Sequence, residues 1–216
     1  MQFALVATRT LTVQFDKCAK MMQRRASLAR ALCLARRLRY RYVEGMSTPD
    51  PRQFRHDPAR NVGERQMYQA WLDFHRGTLV WKCTGLTDAQ LKSASVSPSN
   101  LTLLGLLRHM TEVERAWFRT RAAGVTLPDL YCSDEDEDGD FDNVADADVE
   151  QDFATFKAEC LAADEAVRSI SLDHTFDGRN GPISLRWVHV HMIEEYARHN
   201  GHADLLRERI DGATGA

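Results

Sequence analysis

The stretch from Leu185 to Ile210 runs without a proline, and its apolar residues recur at helical spacing. Ser184 stands before it as a cap, and Gly212 lies just past its end. Such a helix is about 40 Å long at 1.5 Å per residue. It can bury its stripe only against other long helices. On a helical wheel Leu185, Val188, Met192, Tyr196, Ala203 and Leu206 fall within about 80° of each other. His199 falls inside that cluster, and Glu195 lies about 40° from it, one turn earlier. His191 and His202 sit on the same flank, further from the centre of the stripe.

The rest of the sequence supplies partners. A helix is expected from Glu64 to Cys83, with Met67, Trp71, Phe74, Leu79 and Trp81 as its apolar positions and Gly85 as its stop. Thr87 starts a short turn through Leu91. Ser99 or Asn100 is placed to cap a helix from Leu101 to about Ala122, ended by Gly124 and Pro128. A third helix is expected over about Val149 to Ser169, with Phe153, Phe156, Cys160 and Val167 inward. Asp-Gly and Asn-Gly pairs between Asp173 and Pro182 signal turns and leave room for a short hairpin. The expected fold is all-α, an antiparallel four-helix bundle over residues 46–216.

An inward glutamate must be neutralised, paired or bound to a metal. Glu195 and His199, at i and i+4, project from one face and can grip one cation. The second long helix offers His109 beside its stripe of Leu103, Leu106, Met110, Val113 and Trp117. His109, Glu195 and His199 thus make a candidate metal set, with His202 and His191 as a further ligand or as supports for the ligands. A carboxylate with imidazoles suits zinc first and nickel second. Three protein ligands leave an open position, as in catalytic sites. The competing reading makes His109 and His199 ordinary rim residues and pairs Glu195 with Arg198, Arg108 or Arg115.

Charge is unevenly spread. Residues 1–45 hold ten Lys/Arg and two acids, a net of +8, which leaves −11 for the remainder. RRASLARALCLARRLRYRY resembles an arginine-rich targeting segment, and a basic arm for nucleic acid is the other functional reading. Met46 opens an ordinary polar N-terminus, so residues 1–45 are expected to be a dispensable extension or an upstream start that is not used. No nucleic-acid partner is expected, and no apolar run is long enough to cross a membrane. Five cysteines without a C-x-x-C pair point to a reducing, cytoplasmic setting.

Residues 133–152 form an acidic loop with eleven acids and no base. Asp134, Asp136, Asp138 and Gly139 imitate a calcium loop, but its twelfth position is Ala145 instead of a bidentate glutamate, so a solvated loop is expected. His56, His75, His174, His189 and His191 lack matching partners and are expected at the surface or rim.

The segments LLGLLRHMTEVERAWF, DLYCSDEDEDGDF and SLRWVHVHMIEEYARHNGHADLLRERIDGATG resemble the DinB/YfiT-like metalloprotein superfamily, closest to its actinobacterial mini-circle-type branch. The resemblance covers about residue 64 to 215. It implies a four-helix bundle with a metal near one end of its core. In the related mycothiol-dependent maleylpyruvate isomerases the middle of three ligands is a glutamate, a pattern that maps onto His109, Glu195 and His199. The resemblance further implies a low-molecular-weight thiol, mycothiol or bacillithiol, as co-substrate of an S-transferase or detoxification enzyme acting on an electrophile. The alternatives are a non-catalytic metal-binding stress or structural bundle and a metal-dependent hydrolase. A homodimer is compatible with the sequence, although no patch selects one.

Overall fold

Caps and glycines set the element boundaries in the computed structural model, which describes residues 55–215. The basic segment 1–45 lies outside the described residues. Helix α1 spans Glu64–Cys83, and Gly85 follows at φ 80°. Helix α2, Asp88–Leu91, opens on a reciprocal cap between Thr87 and Gln90. Helix α3 covers Leu103–Glu114 and continues as a π-helix over Arg115–Ala122. The short α4 is Gly139–Asp142, and α5 is Val149–Val167, capped by Asp148. Strands β1 (Thr175–Gly178) and β2 (Gly181–Ser184) form an antiparallel hairpin with Thr175 opposite Ser184. Helix α6, Leu185–Asp211, is capped by Ser184 and closed by Gly212 at φ 76°.

The described part is mostly helical, and its core is leucine-rich. α1 packs on α6, while α3 packs on α5, α6 and α1. Leu72 and Leu79 of α1, Leu103, Leu106 and Met110 of α3, and Leu185, Met192 and Tyr196 of α6 have no exposed surface. The α6 stripe lies where helical spacing puts it.

Four expectations are corrected. In α1 Leu79 and Trp81 are buried as expected, but Trp71 is 40% exposed, and the buried face also takes in Leu72, Arg76 and Cys83. The spacing of that face is helical, but a charged residue inside it hides it from an apolar count. The cap of α3 is Thr102, whose hydroxyl accepts from Gly105 N at 2.9 Å; Ser99 instead accepts from Leu101 N at 3.2 Å, one turn too early. His189 is buried, stacked on Tyr68 with ring centroids 5.6 Å apart, and its Nδ1 lies 2.9 Å from Leu185 O. Finally, Asp140 and Asp152 of the acidic stretch are buried rather than solvated.

Burying Arg76 requires compensation. Its Nε and Nη2 donate to the two oxygens of Glu114 at 2.7 and 2.8 Å, and Nη1 donates to Asp164 Oδ1 at 3.0 Å. The Tyr196 hydroxyl donates to Glu114 Oε1 at 2.8 Å. Residues of α1, α3, α5 and α6 thus meet in one polar knot inside the apolar core. Arginines also satisfy helix ends, which leave carbonyls unbonded. Arg207 donates to Lys82 O and Thr84 O at the end of α1, and Arg65 to Val167 O and Ile170 O at the end of α5.

Candidate metal centre

Helical periodicity brings Glu195 and His199 to one side of α6, with 16% and 12% of their side-chain surface exposed. His199 Nε2 lies 3.4 Å from Glu195 Oε2. Across the seam, α3 presents His109, its ring centroid 4.8 Å from that of His199. One donor atom from each of His109, Glu195 and His199 lies within 4.8 Å of the other two. The competing partners of Glu195 are occupied elsewhere. Arg198 pairs with Glu194, Arg115 with Glu159, and Arg108 donates to backbone carbonyls.

The donor chemistry fits a divalent cation. Burial, followed by the neighbouring charges of His109 and His202, pushes the His199 imidazole down to about 4. It is therefore neutral at neutral pH, with a lone pair to offer. His109 Nδ1 lies 2.8 Å from Asp140 Oδ2, a contact that orients the ring and would leave Nε2 to face a cation. Phe141 stacks on the same ring at 4.8 Å.

The two further histidines take different places. His202 Nδ1 is 3.4 Å from His199 Nδ1, on the ring edge away from Glu195. His191 Nε2 is 3.6 Å from the other oxygen of Glu195, and His191, Glu194 and Glu195 form a second group with convergent donors. Neither joins the His109 group. His56 and His174 are exposed, and His75 is half-buried beside Trp71.

Asp140, Phe141, Arg108 and Glu112 are the site residues that the sequence reading missed. Asp140 is one acid among eleven in its stretch, and nothing local sets it apart. What selects it is the way α3 holds the loop. Arg108 donates to Asn143 O at 2.8 Å and Gly139 O at 3.2 Å, and its guanidinium stacks 4.3 Å from the Tyr131 ring centroid. Glu112 Oε1 accepts from the backbone N–H groups of Leu130, Tyr131 and Cys132. Gly139 has no room for a side chain, since a Cβ there would stand 2.4 Å from Tyr131 O. The available signal was the pair Arg108 and Glu112, charged residues set among the buried positions of an apolar helix. A surface depression of about 750 Å³ lined by Arg121, Ala122, Gly124, Ile170, Phe176 and their neighbours contains none of the three candidate ligands.

Replacing Asp140 with alanine frees the His109 ring. Metal affinity is expected to fall about 10–100-fold, the usual cost of losing a carboxylate behind a ligand imidazole. Competition against a chelating dye measures this. An unchanged affinity at unchanged helical content would remove Asp140 from the site.

The chain itself supplies no ready thiolate among the described residues. Burial pushes Cys83 up to about 12 and Cys132 up to about 11, and Cys160 is also raised, chiefly by burial. No described helix is long and apolar enough to cross a membrane. No curated protein and no solved structure gives a significant match to the chain. A model of the mycothiol-S-transferase family, however, matches residues 67–212, from the first long helix to the glycine that closes the last. That span covers most of the sequence, including His109, Asp140, Glu195 and His199, and it places the chain in the mycothiol-S-transferase family of the DinB/YfiT-like superfamily.

Proposed function

We propose that this protein binds one divalent cation through His109, Glu195 and His199 and transfers a low-molecular-weight thiol, mycothiol, to an electrophile. The convergence of those three donor groups carries the reading, together with the family to which the chain belongs. Zinc is the cation that the donor set favours, with nickel second. The pairing of α1 with α6 and of α3 with α5 and α6 supports an antiparallel four-helix bundle around the site.

A divalent cation held there supplies the positive charge that lowers the pKa of a thiol beside it. The chain's own groups do the rest. Asp140 fixes the His109 ring, neutral His199 supplies an uncharged donor, and the Glu195 carboxylate offsets part of the cation's charge. The proton leaves the thiol for solvent. The sulfur then attacks the electrophilic carbon, a carbon–sulfur bond forms, and the bond to the leaving group breaks with its electron pair departing. The raised thiols of Cys83, Cys132 and Cys160 support an external nucleophile.

The test uses the full chain. Elemental analysis is expected to give about one equivalent of zinc or nickel, and mixing with mycothiol and an alkyl halide is expected to consume thiol faster than the uncatalysed reaction. Bound metal without thiol consumption would turn the reading toward a structural or hydrolytic centre. Folded protein that takes up no divalent ion would overturn the ligand set.

A further inference from the structure

One seam continues the candidate metal centre along the molecule. On α6, Trp187, His191, Glu195 and His199 follow one another at four-residue steps. From His199 to Trp187 that edge runs about 18 Å at 1.5 Å per residue. The facing helix carries His109 and, two four-residue steps later, Trp117 and then Arg121. They meet α6 in reversed order. His109 lies against His199, while Trp117 lies 4.7 Å from His191 and 5.4 Å from Trp187. Trp187 stacks on His191 at 4.7 Å with an interplanar angle of 18°.

The π winding bears on how Trp117 and Arg121 share one side of their helix. Four-residue steps drift by about 40° each around an α-helix. The π-helix closes its hydrogen bonds five residues apart, so its wider turns absorb that drift. Arg115–Ala122 has this form, and it includes both Trp117 and Arg121. π segments of this kind are frequent at functional sites.

The far end of the seam looks out to solvent. Trp187 is 46% exposed, so the core does not require its ring. The Arg121 guanidinium sits 4.6 Å from the Trp117 ring centroid and makes no ion pair among the described residues. A surface in which Trp187 stacks on His191 and Trp117 meets both at a tilt, bounded by a cation without an ion pair among the described residues and continuous with Glu195, is suited to a planar ring bearing an anion.

Building on the transferase reading, we propose that Trp117, Trp187 and Arg121 select the electrophile: an elongated molecule whose anionic aromatic ring rests on the tryptophans. Its reactive carbon then reaches back toward Glu195 across roughly two helical turns, about 11 Å. Short electrophiles would react without using this surface.

Two iodoacetamides test the assignment. One is iodoacetamide itself; the other carries a naphthalenesulfonate on a short amine spacer. The reacting carbon is the same in both, and iodide leaves as the sulfur bond forms. The ringed compound is expected to show a KM about tenfold lower than the plain one, of the size that one good stacking contact gives. Trp187→Ala should erase that advantage, bringing the KM of the ringed compound to that of the plain one in the same variant, while Trp187→Phe should keep most of it. Arg121→Gln should weaken the sulfonate but not a neutral naphthalene analogue. A second readout is independent of turnover: quenching of tryptophan fluorescence by the unreactive acetamide analogue, measured with and without chelator. Binding that weakens about tenfold in Trp187→Ala, even in protein that shows no conjugation, would support the aromatic surface while the transferase reading failed. Equal binding by wild type and Trp187→Ala, or no binding at all, would overturn the proposal.

Discussion

Glu114→Ala is expected to destabilise the protein by about 3–5 kcal/mol, the cost of leaving a buried charge without its partner. Glu114 has no exposed surface and accepts two hydrogen bonds from Arg76 and one from Tyr196. Its removal takes two hydrogen bonds from Arg76, a residue that is 7% exposed. Asp164 still holds Nη1, but it sits nearer solvent and cannot replace both lost bonds. For a protein of this size a loss of that order lowers Tm by roughly 6–20 °C, at about 2–4 °C per kcal/mol. Thermal melting followed by circular dichroism reads it directly. The paired replacement Arg76→Met with Glu114→Met is expected to melt higher than Glu114→Ala, because the carboxylate that it deprives of a partner, Asp164, sits nearer solvent. A single-variant shift below about 2 °C would mean that water reaches Arg76 and that the knot contributes little.

His199→Ala is expected to have the second large effect, on metal retention and not on folding. Structural zinc sites bind with about 10–16 kcal/mol shared among four ligands, so one ligand carries roughly 2.5–4 kcal/mol. Removing it weakens binding by about 10²–10³-fold. His199 is partly exposed at the seam and anchors none of the leucine core, so Tm of the metal-free protein is expected to change little. Dialysis against a chelator series, followed by elemental analysis, separates the two quantities. His199→Ala protein that retains its metal at wild-type affinity would exclude His199 as a ligand and shift attention to the group formed by His191, Glu194 and Glu195.

Much of the architecture was legible before any coordinates. Ser184 and Gly212 bracket α6, Gly85 follows α1, and the wheel placed Leu185, Val188, Met192, Tyr196, Ala203 and Leu206 inward, where all six are buried. The same wheel put Glu195 and His199 on the seam. His109 was legible because its neighbours on α3 are apolar. These readings succeed because a capped amphipathic helix is a local object, and its period fixes which side chains share a face.

The parts that failed share another cause. Part of the inward face of α1 escaped because Arg76 belongs to it, and its burial is made tolerable by Glu114 and Asp164 on two other helices. His189 was expected at the rim, yet Tyr68 and Phe118 from two other helices enclose it. Asp140 was indistinguishable from the acids around it until Arg108 and Glu112 pinned the loop against α3. The seam of Trp117 with His191 and Trp187 depends on how two helices cross and on the π winding of one of them. Sequence by itself determined the long helices, the cap of the last one and the faces that carry His109, Glu195 and His199, because those follow from short-range hydrogen bonding and a fixed helical period. Tertiary structure alone decided which buried charges find partners, which acid stands behind His109 and which aromatic rings extend the site, because each depends on a contact between residues far apart in the chain.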